Sequence, residues 1–237
     1  MASKPGKIIL IPNFLGNENL GFIGNQDLDT IYKLSEFVVE SEKSARSYLK
    51  AIQHPVHQNE FKFHLMDKRM RESEIPGFFS NCLNGKDVGL LSDAGTPCIA
   101  DPGAKMVDFA HRKGIQVKPI GGLNSMLLAL SASGFNGQNF HFHGYIPFEK
   151  TDRNNSFNNL RTELSKGISQ IFMETPYRNK QLLTEILERF PESQLLLIAS
   201  NLTCDDERID RRTLKQWKVD NEYLHKIPAV FVMGSAR

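Results

Sequence analysis

Cysteine is scarce in this chain and scattered: Cys82, Cys98 and Cys204 are the only three in 237 residues. Three thiols this far apart build no disulfide framework and no metal-ligand pattern; they read as ordinary thiols of a reducing cytoplasm. Long apolar runs are missing too. None approaches the ~20 residues of a membrane-spanning helix, and Met1 to Lys7 holds no apolar secretory-signal region. No block of like charge forms a tail, since 29 Lys and Arg stand against 27 Asp and Glu, a formal net of +2. That balance neither demands nor excludes a nucleic-acid partner, because a local basic face can sit within it. After the first apolar run there is no Gly-x-Gly-x-x-Gly, which argues against a dinucleotide-dependent dehydrogenase. Internal repeats and low-complexity tracts are absent.

What is present is a regular alternation. Hydrophobic residues make up 40% of the chain, enough for a substantial core. Nine short apolar runs read as strands: Lys7–Ile11, Phe37–Val39, Phe61–Leu65, Val88–Leu91, Ile115–Pro119, Phe140–Ile146, Ile168–Met173, Gln194–Ala199 and Ala229–Met233. Helical patterns lie between them. Ala104 to Lys113 carries one apolar face and stops at Gly114. Pro176 to Phe190 lines up Leu182, Leu183, Ile186, Leu187 and Phe190. Met126 to Ala132 is apolar nearly all round and reads as a buried helix ending at Gly134. Pro147 to Asn159 is polar, an exposed loop or helix start. The alternation implies an α/β protein of two units: residues 1–120 with five strands, and residues 121–237 with four. Gly121-Gly122-Leu123 is the turn between them.

The stretch Leu90-Leu91-Ser92-Asp93-Ala94-Gly95-Thr96-Pro97-Cys98-Ile99-Ala100-Asp101-Pro102-Gly103 stands out. A strand breaks into a loop of small residues with two acids, and Asp101-Pro102 then has the form of an N-cap and first helical position. Small side chains let a ligand approach the backbone closely. Together with Pro119-Ile120-Gly121-Gly122 and Gly134, this block resembles the tetrapyrrole-methylase superfamily of S-adenosylmethionine-dependent methyltransferases. Its nearest branch is the one that 2′-O-methylates a cytidine of small-subunit ribosomal RNA. Supporting segments are Pro12-Asn13-Phe14-Leu15-Gly16-Asn17, Phe172-Met173-Glu174-Thr175-Pro176-Tyr177-Arg178, Asn201-Leu202-Thr203 and Pro228-Ala229. The resemblance runs from Ile8 to about Gly234. Two segments depart from the branch. Glu40-Ser41-Glu42-Lys43 replaces its Glu-Asp-Thr-Arg, and Leu65-Met66-Asp67-Lys68-Arg69 replaces its His-Glu-His-Asn.

The resemblance implies a class III methyltransferase fold, two α/β domains with the cofactor cleft between them. It implies S-adenosylmethionine as cofactor, no metal, a homodimer, and ribosomal RNA or the small ribosomal subunit as partner. Cofactor contacts fall on Leu15, Asp93, Ala94, Gly95, Thr96 and Ile99, and on Asn124, Ser125, Glu174, Leu202 and Thr203. A ribose hydroxyl is a weak nucleophile whose proton must leave, which favours a nearby base; Asp93, Glu40 and Glu174 are the candidates. Arg46, Arg69 and Arg178 are the candidate RNA contacts. Two other readings stay open: methylation of a tetrapyrrole or other small acceptor, and a cofactor-binding protein without transfer activity.

Each assignment has a plainer rival. Asp101 reads first as a helix cap, and Gly95 and Gly103 can serve turn geometry alone. Arg178 is equally an exposed helix residue. Lys43, Arg46, Lys68, Arg69 and Arg71 can form a solvated charged face instead of an RNA rim. His141 and His143 share one face of a strand but lack a third metal ligand. Arg208 to Arg212, with Asp205, Asp206, Glu207 and Asp210, reads as an ion-paired loop.

Overall fold

The computed structural model describes residues 4–16, 20–66, 70–218 and 222–235. The chain divides into two compact units, residues 1–124 and 125–237. Lys68 and Arg69 lie outside the described residues.

In the first unit, strands β1 (Lys7–Ile11), β2 (Glu36–Val39), β3 (Lys62–Leu65), β4 (Val88–Leu91) and β5 (Gln116–Pro119) form one parallel sheet in the order β3-β2-β4-β1-β5. Strands covered on both faces need no polar alternation, and β2 and β4 are buried at every position. Helices α1 (Asn25–Ile31) and α2 (Glu42–Ala51) cover one face, where Ile31, Tyr48 and Leu49 pack on Ile9, Ile11, Phe37, Val39 and Leu91. Short helices α3 (Ile75–Phe78) and α4 (Ser80–Leu83), with α5 (Ala104–Arg112), cover the other, against Ile8, Val38, Val88 and Leu90. Ser41 caps α2, its side chain accepting from the Ser44 amide.

Glu36 is a buried acid at the start of β2. It accepts from His64 Nε2 at 2.7 Å and Asn81 Nδ2 at 2.7 Å, and pairs with Lys62 Nζ at 2.9 Å. Burial pushes its carboxyl up, but the bonds from His64, Asn81 and Lys62 together outweigh this and hold it below its ordinary 4.5. A depressed folded-state pKa contributes stability above the unfolded value, and that stability is lost as pH falls through the folded value. Glu36→Gln is therefore expected to lower stability at neutral pH and to flatten the acid limb below about pH 4.5. Urea midpoints measured across that range check this; wild-type and variant curves running parallel would count against it.

In the second unit, β6 (Phe140–Tyr145), β7 (Ser169–Met173), β8 (Leu195–Ser200), β9 (Arg208–Thr213) and β10 (Ala229–Gly234) form a mixed sheet in the order β6-β7-β10-β8-β9. Only β6 and β7 are parallel neighbours. Helices α7 (Lys150–Ser165), α8 (Asn179–Arg189) and α9 (Leu214–Trp217) bury Phe157, Leu182, Ile186 and Trp217 against Phe172, Ile198 and Phe231. Helix α6 (Ser125–Ser133) packs on β8 and β10.

Four expectations need correction. The second unit has five strands: the Arg208–Arg212 segment is edge strand β9, paired throughout with β8. By the two-residue period of a strand Arg208, Asp210 and Arg212 share a face, where Asp210 pairs with both arginines. Helix α6 is not buried all round; Ala129, Leu130 and Ser133 are buried, while Leu127 is 47% exposed. Pro176 opens a short 3₁₀ turn, Pro176–Arg178, ahead of α8. Asp101 does not cap a helix. Its Oδ2 accepts from the Cys98 amide and its Oδ1 from the Gly103 amide, both at 2.7 Å, and α5 starts only at Ala104. The carboxylate ties a loop in which Cys98 and Ala100 have positive φ, +70° and +63°.

Candidate functional site

The parallel sheet has one point where its connections part. From β2 the chain passes through α2 to β3 at one edge; from β4, its neighbour, it passes through α5 to β5 at the other. Helices α2 and α5 pack on opposite faces. Neighbouring strands whose connections leave in opposite directions open a crevice at their carboxyl ends, where open α/β sheets bind ligands. Glu40 and Ser92 to Thr96 follow these two strand ends.

That loop is held from several sides. The buried Asn13, just past β1, donates through Nδ2 to the carbonyls of Ser92 (2.9 Å) and Asp93 (3.1 Å). Its own amide donates to the Gly95 carbonyl at 2.9 Å, and the Gly95 amide returns to the Phe14 carbonyl at 3.3 Å. Ser92 Oγ reaches the carbonyls of Ala94 and Gly95, and Thr96 Oγ1 donates to the Leu123 carbonyl at 3.0 Å. The Asp93 amide donates to Glu40 Oε1 at 3.0 Å, while the Asp93 residue itself is exposed. Gly95 sits at φ +65°, and a Cβ there would come within 3.0 Å of Leu15 Cδ2. The structure thus gathers Leu15, Glu40, Asp93, Ala94, Gly95 and Thr96 at one end of the first sheet. Ile99 lies further along the loop, 44% exposed, and Asn124 ends this unit. Burial, and then the nearby Asp101, push the Cys98 thiol up to about 12.

Arg46 is not part of this group. On α2 it pairs with Glu42 at 2.6 Å, donates to the Gln58 carbonyl and lies 4.8 Å from the Phe63 ring centroid.

In the second unit the carboxyl ends of β6, β7 and β8 lie at one end of the sheet, where β10 begins. Glu174 follows β7 with its side chain fully buried. Oε2 accepts from Arg153 Nη1 at 3.1 Å, and Oε1 accepts from Arg178 Nη2 at 2.5 Å and from the Thr175 amide at 2.8 Å. Arg153 also pairs with Glu185 and donates to the Pro147 carbonyl. Arg178 therefore serves as a buried carboxylate's partner, and its guanidinium lies 5.2 Å from the Phe148 ring centroid. After β8, Asn201 and Thr203 adopt positive φ, +46° and +70°. Leu202 is buried, and the Thr203 Oγ1 is buried without a hydrogen-bond partner. Ser125 begins α6.

His141 and His143 stack 4.2 Å apart, and His143 bonds Gln170 at 2.6 Å. Among the described residues, no group of three or more His, Cys, Asp or Glu could hold a metal ion, and no helix is long and apolar enough to cross a membrane. Nothing in the polar Pro147 to Asn159 segment marks Arg153 or Phe148 as part of this group; their place comes from the pairing of β6 with β7.

Known proteins resemble this chain at both levels. A ribosomal RNA small subunit methyltransferase I of Micromonospora olivasterospora is 29% identical over 211 residues, covering 89% of this chain and 64% of that protein. The one from Neisseria meningitidis serogroup B is 33% identical over 55% of this chain and 43% of its own length. The one from Vibrio cholerae is 28% identical over 97% and 77%. The chain thus spans less than two thirds of the first two of these relatives. Among solved structures, the methyltransferase CobJ superposes with a TM-score of 0.66 at 16% identity, covering 98% of this chain and 95% of that one. Uroporphyrin-III-C-methyltransferase from Thermus thermophilus gives 0.58 at 17%, with the same coverage. These likenesses establish the fold as the two-domain α/β fold of those enzymes. The family model for tetrapyrrole (corrin/porphyrin) methylases matches residues 33–218, most of the chain; the chain belongs to that family.

Proposed function

We propose that this protein transfers a methyl group from S-adenosylmethionine to a ribose 2′-hydroxyl of small-subunit ribosomal RNA. The observation that carries the reading is the fixed Ser92–Thr96 loop at the parting of β2 and β4, with its glycine cradle and projecting acid. The acceptor class follows the relatives, which are small-subunit ribosomal RNA methyltransferases.

The residues fit the donor. Bound there, it supplies a methyl group on a cationic sulfur. Gly95 lets the loop backbone lie against Leu15, where a Cβ would come within 3.0 Å, and the hydrogen bonds of Asn13 and Thr96 hold that backbone in place. We assign Leu15, Ala94, Gly95 and Thr96 to donor binding. In the second unit, the orphaned Thr203 Oγ1 is suited to a ligand's polar atom, because a buried unpaired hydroxyl costs stability until something bonds it. During transfer the ribose oxygen gains a bond to the methyl carbon as that carbon's bond to sulfur breaks, leaving a neutral thioether, and the oxygen loses its proton. We assign acceptance of that proton to Asp93, and the placing of Asp93 to Glu40. Glu174 is unsuited to the task, since two guanidiniums and an amide already occupy its oxygens.

Calorimetric titration with S-adenosylmethionine and its demethylated product, followed by labelled methyl transfer to unmodified small ribosomal subunits, tests the reading. Saturable one-to-one binding with transfer is expected; absence of binding would remove the basis of the proposal. The cradle has its own test. Gly95→Ala places a side chain in the left-handed region, at a cost of about 1–2 kcal/mol, and narrows the space beside Leu15. Donor affinity is expected to fall by about tenfold, the equivalent of ~1.4 kcal/mol. Undiminished affinity in a folded variant would move the donor elsewhere.

A further inference from the structure

Phe148 and Tyr177 are each 74% exposed, more than any other large hydrophobic residue described. Single exposed apolar residues are ordinary on a protein surface, so what matters here is how these two rings are placed. These two are brought into one neighbourhood by the strand ends: Phe148 follows β6, and Tyr177 lies in the turn that follows β7. Each has a cation beside it. The Arg178 guanidinium is 5.2 Å from the Phe148 centroid, and Lys226 Nζ is 5.8 Å from that of Tyr177. The surface is held in shape from below. Arg178 is fixed by the buried Glu174 and by Thr175 Oγ1, and the Lys226 amide donates to the Pro176 carbonyl at 3.1 Å.

We propose that Phe148, Tyr177, Arg178 and Lys226 form a stacking platform for unpaired bases of a single-stranded RNA segment. This rests on the RNA-methyltransferase reading and names how that substrate is gripped. Planar rings with adjoining cations match what an unstacked nucleotide offers, a π-face for the ring and a phosphate for the cation. The ring and its cation make separable contributions: stacking is insensitive to salt, and phosphate contact is not.

The test is fluorescence anisotropy of a short labelled single-stranded RNA of cytidines and uridines, with the full chain. Phe148→Ala and Tyr177→Ala are each expected to weaken binding by about tenfold without changing its salt slope. Phe148→Tyr and Tyr177→Phe should stay within about twofold of wild type, because they keep a ring. Lys226→Ala should lower the salt slope by about one. A duplex of the same sequence should bind more weakly, since its bases are already stacked. Alanine variants that bind like wild type, or a duplex that binds as tightly, would overturn the platform. Methyl transfer to small ribosomal subunits separates the two levels. If wild type transfers and the alanine variants transfer equally well, the platform falls and the function stands. If wild type neither binds RNA nor transfers, the function falls and the platform falls with it.

Discussion

Asp93→Asn is expected to lower the rate of the proposed methyl transfer by about 10²–10⁴-fold, the usual worth of a positioned general base, while donor affinity stays within about twofold of wild type. The backbone around Asp93 is fixed on both sides. Its amide is held by Glu40 Oε1 at 3.0 Å and its carbonyl by Asn13 Nδ2 at 3.1 Å. The side chain takes no part in either bond, so replacing the carboxylate with an amide of the same shape leaves the loop as it is. What changes is the capacity to take a proton. A merely structural role predicts a different pattern, with loss of donor binding and of stability together with rate. A second readout separates them further. With the base gone, hydroxide from solvent becomes the proton acceptor, so the residual rate of the variant rises steadily with pH. Glu40→Gln should be milder, about tenfold in rate, since a neutral side chain can still accept from the Asp93 amide. An Asp93→Asn protein that keeps more than a third of the wild-type rate would return Asp93 to the role of loop residue.

The limits of the sequence are visible in particular residues. The parallel sheet was readable because its inner strands are covered on both faces, and so appear as unbroken apolar runs such as Val88 to Leu91. Strand β9 was not, because Arg208, Asp210 and Arg212 place charges where a hydrophobic alternation is sought; Asp210 pairs with both arginines there, and their guanidiniums lie over the Tyr223 and Trp217 rings. Asp101 shows a different limit. An Asp before a Pro satisfies the local rule for a helix start, but two backbone amides nearby in the loop offered its oxygens a better use. At the site, the small residues Ala94, Gly95 and Thr96 announced themselves through composition. The parting of the connections between β2 and β4 did not, since strand order is a non-local property. Arg153 was hidden for the same reason. It lies 21 residues before Glu174 on a helix of polar residues, and nothing local marks it as that carboxylate's partner.

That pairing gives the largest expected effect on stability. Glu174→Gln is expected to destabilise the second unit by about 3 kcal/mol, the lower end of what removing one partner of a buried ion pair costs. The Glu174 side chain is fully buried, while those of Arg153 and Arg178 are 10% and 29% exposed. Solvent can therefore do little to compensate the two guanidiniums once the negative charge is gone. Arg153 retains Glu185 and the Pro147 carbonyl, which keeps the loss from being larger; Arg178 retains only Thr175 Oγ1 among its described side-chain hydrogen bonds. The chain's single tryptophan, Trp217, is buried in the core of the same unit, so its fluorescence in urea reports on this unit. The midpoint should fall with the slope unchanged, because the surface exposed on unfolding is the same. A cycle with Arg178→Met should show coupling of about 1–3 kcal/mol between the two positions. An unmoved midpoint would mean that the carboxylate's desolvation cancels its attraction to both arginines, a balance that buried ion pairs can reach. Glu174 would then be kept for the position it gives Arg178. In that case the stable Glu174→Gln protein should bind single-stranded RNA less tightly, because the guanidinium beside Phe148 has lost its anchor.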